Sequence, residues 1–187
     1  MIQCKPIQLE SREKAKAMSD KLARVEVIRD RKIVSIEIPL GEIDHKDVIY
    51  AYGNGQCAAL ALAIHELMKW PMVALFSAES AGRPEEWDEQ WHGKTVKAWR
   101  EKQPKGWSWG WRHTLVQTPD KRFYDIQGIH SFEIHKKAYG SCAMLIVTKK
   151  DVLDMESDRG VRQPFLNVEL AKEYAPLFLK RAGFRIK

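Results

Sequence analysis

The sequence predicts an α+β domain. Three observations carry this reading: a helix apolar on nearly all sides, a β-hairpin downstream of it, and further short β-branched runs on either side of the pair. The helix spans about Cys57 to Lys69 (CAALALAIHELMK), with Ala58, Ala59, Ala61 and Ala63 set among Leu60, Leu62 and Ile64. A helix without a polar face is buried nearly all round. Pro71, after Trp70, stops it. The hairpin joins residues 112–118 (RHTLVQT) to 122–127 (RFYDIQ) around a Pro-Asp turn. Segments 32–39 (KIVSIEIP), 73–76 (VALF) and 143–148 (AMLIVT) read as further strands.

Around this core the elements are amphipathic or irregular. Residues 10–25 place Ala15, Met18, Leu22 and Val25 at helical spacing behind Ser11, a candidate cap, and so predict a helix on the outside of the core. Residues 50–56 (YAYGNGQ) read as a Gly-rich turn, with Asn54 or Gly55 capping the helix that follows. Residues 78–110 are charged and rich in Gly and Pro. They read as an insertion, with a helix around 84–101. A terminal helix is expected over 168–182, interrupted at Pro176 and closed by Gly183. With no internal repeat, low-complexity tract or linker, the 187 residues read as one domain.

Composition narrows the function classes. Hydrophobic residues make up 44% and charged residues 30% of the chain, a globular balance. Three cysteines, Cys4, Cys57 and Cys142, are too few for a disulfide framework, and no CxxC pair suggests a zinc-thiolate site. Free thiols in a reducing, cytoplasmic setting are expected, with no metal and no cofactor. The first residues, MIQCKPIQLESREK, lack the apolar core of a secretion signal, and no stretch approaches the about 18 apolar residues of a membrane span. The net charge of +6 permits an anionic partner, although acidic residues are interspersed with the basic ones.

The chemistry centres on Cys57. It opens the apolar helix, where unpaired N–H groups and the helix dipole favour a thiolate, the nucleophilic form of cysteine. Gly53 and Gly55 ahead of it would let a substrate backbone approach. A buried, inert cysteine is the alternative. A thiolate nucleophile needs an imidazole as base and proton donor, and the imidazole needs a third group to fix its tautomer. His113 lies early in one hairpin strand and Asp125 late in the other. They share a sheet face if the connecting loop has an odd number of residues, such as Thr118-Pro119-Asp120; a two-residue turn would part them. Leu115 and Phe123 would then join them, with Thr114, Val116, Tyr124 and Ile126 on the opposite face. His65 lies eight residues beyond Cys57 on the same helix, about 12 Å away, too far to act as its base. His92 reads as solvated, and His45, His130 and His135 show no acidic partner at a telling spacing.

The runs NGQCAALALAIHEL and RHTLVQTPDKRFYDIQG resemble the papain-like thiol superfamily in its compact form, which includes NlpC-type peptidases, transglutaminases and arylamine N-acetyltransferases. The resemblance covers about residues 50–130. It implies a papain-like or transglutaminase-like core in which a buried helix bearing the nucleophile packs on an antiparallel sheet, with Cys57, His113 and Asp125 as the catalytic triad. The Gly-Ser or Trp neighbours of the papain nucleophile are replaced by Gln56 and Ala58, which argues against ordinary endopeptidase activity.

An acyl-transfer site also needs an oxyanion hole. The Cys57 backbone N–H is the natural first donor, and a side-chain amide of Gln56 or Asn54 is a candidate second. Six tryptophans, Trp87, Trp91, Trp99, Trp107, Trp109 and Trp111, fall within 25 residues. They form either a small satellite core or an aromatic wall. Trp107, Trp109 and Trp111 alternate and so share a strand face; they are the candidates for the entrance of the site, Trp109 and Trp111 foremost. The expected function is a cysteine hydrolase acting on an amide or peptide-like bond in a protein or peptide-like substrate. Acyl transfer by the same triad is one alternative. The other is a non-catalytic binder that modulates a host factor or holds single-stranded nucleic acid through the basic, Trp-rich insertion.

Overall fold

A computed structural model describes residues 21–78, 91–102, 109–134, 142–157 and 165–186. Strands β1 (Leu22–Arg29) and β2 (Lys32–Pro39) form an antiparallel hairpin in register from Leu22↔Pro39 to Arg29↔Lys32. Its turn is Asp30 and Arg31, with φ of 52° and 62°. Two left-handed residues in succession match the right-handed twist of the strands they join. The expected strand over 32–39 is present, but Leu22 and Val25, expected on a helix, lie in β1. Val25 and Val27 alternate into the core, and pairing with β2 overrides the helical spacing. The rest of that expected helix lies outside the described residues.

Helix α1 (Lys46–Gly53) occupies part of the expected Gly-rich turn and buries Val48, Ala51 and Tyr52. The true turn is only Asn54-Gly55-Gln56, with Gly55 at φ 123°. Helix α2 (Cys57–Met68) follows, with Ala58 through Ile64 buried without interruption. Lys69, left-handed at φ 60°, ends it one residue early.

A five-stranded antiparallel sheet comes next, in the order β6-β5-β4-β3-β7. Its strands are β3 (Met72–Ala78), β4 (Trp109–Gln117), β5 (Phe123–Asp125), β6 (Gly128–His130) and β7 (Ala143–Val147). Helix α2 lies between this sheet and the terminal helix α5 (Val168–Arg181), which runs through Pro176 without ending. The alanines of α2 let both neighbours approach closely. Tyr52, Tyr174 and Phe178 close this core, with ring centroids 5.5–6.0 Å apart.

Between β3 and β4, Gly93 donates to the Met144 carbonyl, Ile146 to that of Lys94, and Thr95 bridges Ile146. The chain then forms α3 (Val96–Lys102). Trp91 and Trp99 are buried in the main core, so this part of the expected insertion is not a satellite. Residues 79–90 and 103–108 lie outside the described residues. Helix α4 (Lys149–Ser157) was not expected. Thr148 and Asp151 cap it reciprocally, the Thr148 N–H on Asp151 Oδ2 at 2.8 Å and the Asp151 N–H on Thr148 Oγ1 at 3.1 Å. Among the described residues, no helix is long and apolar enough to cross a membrane.

Candidate active site

The hairpin of β4 and β5 decides whether His113 and Asp125 can meet. Val116 pairs with Tyr124 and Gln117 with Phe123, and the Thr118 N–H closes the turn on the Arg122 carbonyl at 2.9 Å. The loop inside that bond is Pro119-Asp120-Lys121, with Lys121 left-handed at φ 65°. A three-residue loop with a left-handed last residue is a common hairpin closure. Asp120 braces it, accepting from Thr118 Oγ1 at 2.5 Å and from Arg122 Nε at 2.7 Å. The loop is odd, so residues 113, 115, 123 and 125 fall on one face. Leu115 and Phe123 join Val73 and Leu75 in a small cluster there, while Val116, Tyr124 and Ile126 belong to the main core under α2.

A β-bulge shapes the other end of β4. His113 pairs with Leu75 but Trp111 with Phe76, so Arg112 is an extra residue. The bulge sends Trp111 and His113, two positions apart, to opposite faces. Trp111 therefore packs on the main core, with its indole Nε1 donating to Thr114 Oγ1 at 2.8 Å and to the His113 carbonyl at 3.2 Å. It braces β4 on both sides of the histidine. The Trp109 side chain lies outside the described residues, as do Trp87 and Trp107.

His113 Nε2 lies 2.9 Å from Asp125 Oδ2, and both side chains are buried, at 2% and 6% exposure. The other carboxylate oxygen accepts the Gln127 N–H at 2.8 Å, which fixes the carboxylate within its own turn. Engagement of Nε2 leaves Nδ1 for the Cys57 sulfur, to which the ring is hydrogen-bonded. Cys57 itself is half-buried.

The sulfur sits where β4 and β5 part. The Gln117 N–H donates to Pro71 on the β3 side. By alternation the Thr114 N–H faces β5, whose ladder has ended. That N–H, with the Ala58 N–H in the first turn of α2, donates to the sulfur. The N-cap residue Gln56 makes no side-chain cap bond, so its side chain does not compete with the sulfur for the first N–H groups of α2. Behind the sulfur, the crevice between Ala61, Thr114, Tyr124 and Asp125 is too narrow for water.

These neighbours set the charge state. Burial pushes the Cys57 thiol up, but the charge and hydrogen bond of His113 and the two backbone N–H groups outweigh it, so its pKa is lowered. Burial likewise works against a charged His113, yet the thiolate and the Asp125 carboxylate hold its pKa well above the usual histidine range. Both shifts favour a thiolate–imidazolium pair.

The two candidate oxyanion amides are engaged elsewhere. Gln56 is buried; its Nε2 donates to the carbonyls of Glu26 (2.7 Å) and Phe165 (2.8 Å), and its Oε1 accepts from the Asn167 N–H (2.9 Å). It ties the start of α2 to β1 and to the approach to α5, with no group left for an oxyanion. Gln56→Ala strands three backbone partners. It is expected to cost about 2–4 kcal/mol, read from the urea midpoint. Asn54 is exposed and donates from Nδ2 to the Tyr50 carbonyl at 3.0 Å, so it caps the end of α1, not the start of α2.

The remaining histidines are partly as expected. His65 Nδ1 contacts the Trp70 carbonyl at 2.6 Å, at the far end of α2. His45 caps α1, accepting from the Asp47 N–H at 3.3 Å, and against expectation it has an acidic neighbour, Asp47 Oδ2, at 3.7 Å. His92 is half-buried and engaged: its Nδ1 accepts from the Met144 N–H at 3.2 Å and its ring packs edge-on to Phe132. His130 does have an acidic neighbour, Asp125 Oδ1, at 3.8 Å. His135 and Cys4 lie outside the described residues. Among those described, no group of three or more His, Cys, Asp or Glu could hold a metal ion. In comparisons with known proteins, the chain matches no family model, no curated protein and no solved structure.

Proposed function

We propose that this protein is a cysteine hydrolase of papain-like design that cleaves an amide or peptide-like bond through Cys57, His113 and Asp125. One observation carries the reading: Cys57 is hydrogen-bonded to a buried imidazole whose other nitrogen rests 2.9 Å from a buried carboxylate. In the reaction, the Cys57 thiolate adds to the substrate carbonyl carbon, and the resulting oxyanion takes the Cys57 N–H at the mouth of α2. Collapse breaks the carbon–nitrogen bond. His113 gives its proton to the departing amine, which leaves a thioester on Cys57 and a neutral imidazole. That imidazole takes a proton from water as the water attacks the thioester. The acid then departs and the ion pair re-forms.

Treatment with p-nitrophenyl acetate tests this. One acetyl group should accumulate on Cys57, located by peptide mass spectrometry, and p-nitrophenol release should fall by about 10³-fold or more in Cys57→Ala. Equal release by the folded Cys57→Ala protein, or no acetyl on Cys57 in the wild type, sinks the proposal. An added primary amine that captures the acetyl group as amide would move the assignment from hydrolysis to transfer.

A further inference from the structure

Resting on that reading of the triad, we infer that Phe165 determines specificity, offering its ring to an apolar side chain on the acyl part of the substrate. A lone phenylalanine in solvent needs no explanation. Phe165, at 74% exposure, stands apart in how its backbone is held and by what. Its N–H donates to Glu26 Oε2 at 3.0 Å, and its carbonyl accepts from Gln56 Nε2 at 2.8 Å. The same Gln56 amide accepts the Asn167 N–H at 2.9 Å and donates to the Glu26 carbonyl at 2.7 Å. One side-chain amide thus pins the chain on both sides of Leu166, which is buried in the main core. The backbone under Phe165 is fixed while its ring stays in solvent. A ring displayed on a fixed backbone loses little freedom when a ligand covers it.

Its place beside the nucleophile gives the ring its role. Gln56 directly precedes Cys57, so one glutamine side chain separates Phe165 from the mouth of α2. The sulfur is held from β4, by His113 and the Thr114 N–H. Cys57 therefore lies between two walls, β4 and the group of Glu26, Gln56 and Phe165. Ile28, 40% exposed, extends the second wall, its N–H donating at 2.8 Å to the Asn54 carbonyl in the turn before Cys57. In the tetrahedral intermediate the former carbonyl carbon carries the sulfur, the oxyanion, the departing amine and the acyl substituent. The oxyanion takes the Cys57 N–H. The amine must face His113, which gives it a proton. The acyl substituent is left the direction away from β4, toward Gln56 and Phe165. An aromatic or branched aliphatic side chain there covers the Phe165 ring and removes apolar surface from water on both partners.

The test compares kcat/KM for the p-nitrophenyl esters of N-acetyl-phenylalanine and N-acetyl-glycine, each corrected for spontaneous hydrolysis. It uses the wild type, Phe165→Ser and Phe165→Leu, all checked for native circular dichroism. The wild type should favour the phenylalanine ester. Phe165→Ser should lower that preference by about fivefold, which is what half-covering a phenyl ring contributes. Phe165→Leu, still apolar, should keep most of it. A preference unchanged in Phe165→Ser, or a loss common to both esters, overturns the role of Phe165 and leaves the triad standing. A folded Cys57→Ala protein that hydrolyses both esters at the wild-type rate overturns the triad, and this inference with it.

Discussion

His113→Ala should turn Cys57 from an acid-tolerant nucleophile into an ordinary or poorer one. Two opposing influences act on the thiol: burial raises its pKa, while the His113 charge and hydrogen bond lower it. Removing the imidazole leaves burial opposed only by the Thr114 and Ala58 N–H groups. The sign follows directly. A lowered pKa means the thiolate persists as pH falls, and it is lost only below the lowered value. An ordinary thiol near pKa 8.5 loses close to 10²-fold of its thiolate between pH 8 and pH 6. The His113→Ala alkylation rate should therefore drop by about 10²-fold over that window, while the wild-type rate changes far less. Buried Cys142 serves as an internal control in the same digests. A variant whose rate stays as flat as the wild type would show that the helix terminus alone sustains the thiolate.

Much of this site was legible in the sequence because periodicity fixes faces. The alternation in RHTLVQT and RFYDIQ, with an odd loop, was enough to put His113 and Asp125 together. The uninterrupted Ala/Leu run placed Cys57 at the mouth of a buried helix. What escaped is what period alone does not encode. The Arg112 bulge, which puts Trp111 on the face opposite His113, against the main core, depends on how β4 meets β3. Gln56 sits beside the nucleophile in sequence, but its partners are Glu26, Phe165 and Asn167, contacts 30 to 111 residues away. His130 meets Asp125 only because β6 folds back within two residues of β5 and places a glycine opposite the acid. A YDIQGIH run, read as a second tight hairpin, would have carried that signal. Strand β1 was lost to a chance helical spacing of Leu22 and Val25; its partner β2 and a turn of Asp30-Arg31, without the usual glycine, decide it.

The bulge and the three-residue loop act together. The loop fixes which face His113 shares with Asp125, and the bulge fixes which face Trp111 takes. Between them they hold the imidazole between its two partners, with Trp111 bonded behind it to Thr114. Thr114 also supplies an N–H to the sulfur. The nucleophile and its base are therefore aligned through one short stretch of β4, residues 111–114, and a disturbance there moves both.

Asp125→Asn is the sharpest probe of that alignment, because it preserves shape and inverts hydrogen-bonding character. Asp125 Oδ1 accepts the Gln127 N–H at 2.8 Å, so the asparagine oxygen is drawn to that position. The new NH2 group then faces His113 Nε2, where a carboxylate oxygen stood at 2.9 Å. Two donors cannot share that contact, so Nε2 must give up its proton and the imidazolium is lost. Turning the amide over relieves His113 only by setting NH2 against the Gln127 N–H. The first arrangement forces the neutral ring protonated on Nδ1, the second leaves a buried conflict of about 1–3 kcal/mol, and both remove the charge that holds the imidazolium. Turnover of p-nitrophenyl acetate should fall by about 10²–10⁴-fold, with the thermal midpoint lowered by about 2–12 °C. Asp125→Ala leaves the ring free to choose its tautomer, so it should retain activity at least equal to Asp125→Asn despite losing more atoms. An Asp125→Asn protein within threefold of wild-type turnover would mean that the carboxylate only shapes the β5–β6 turn and that His113 works without it.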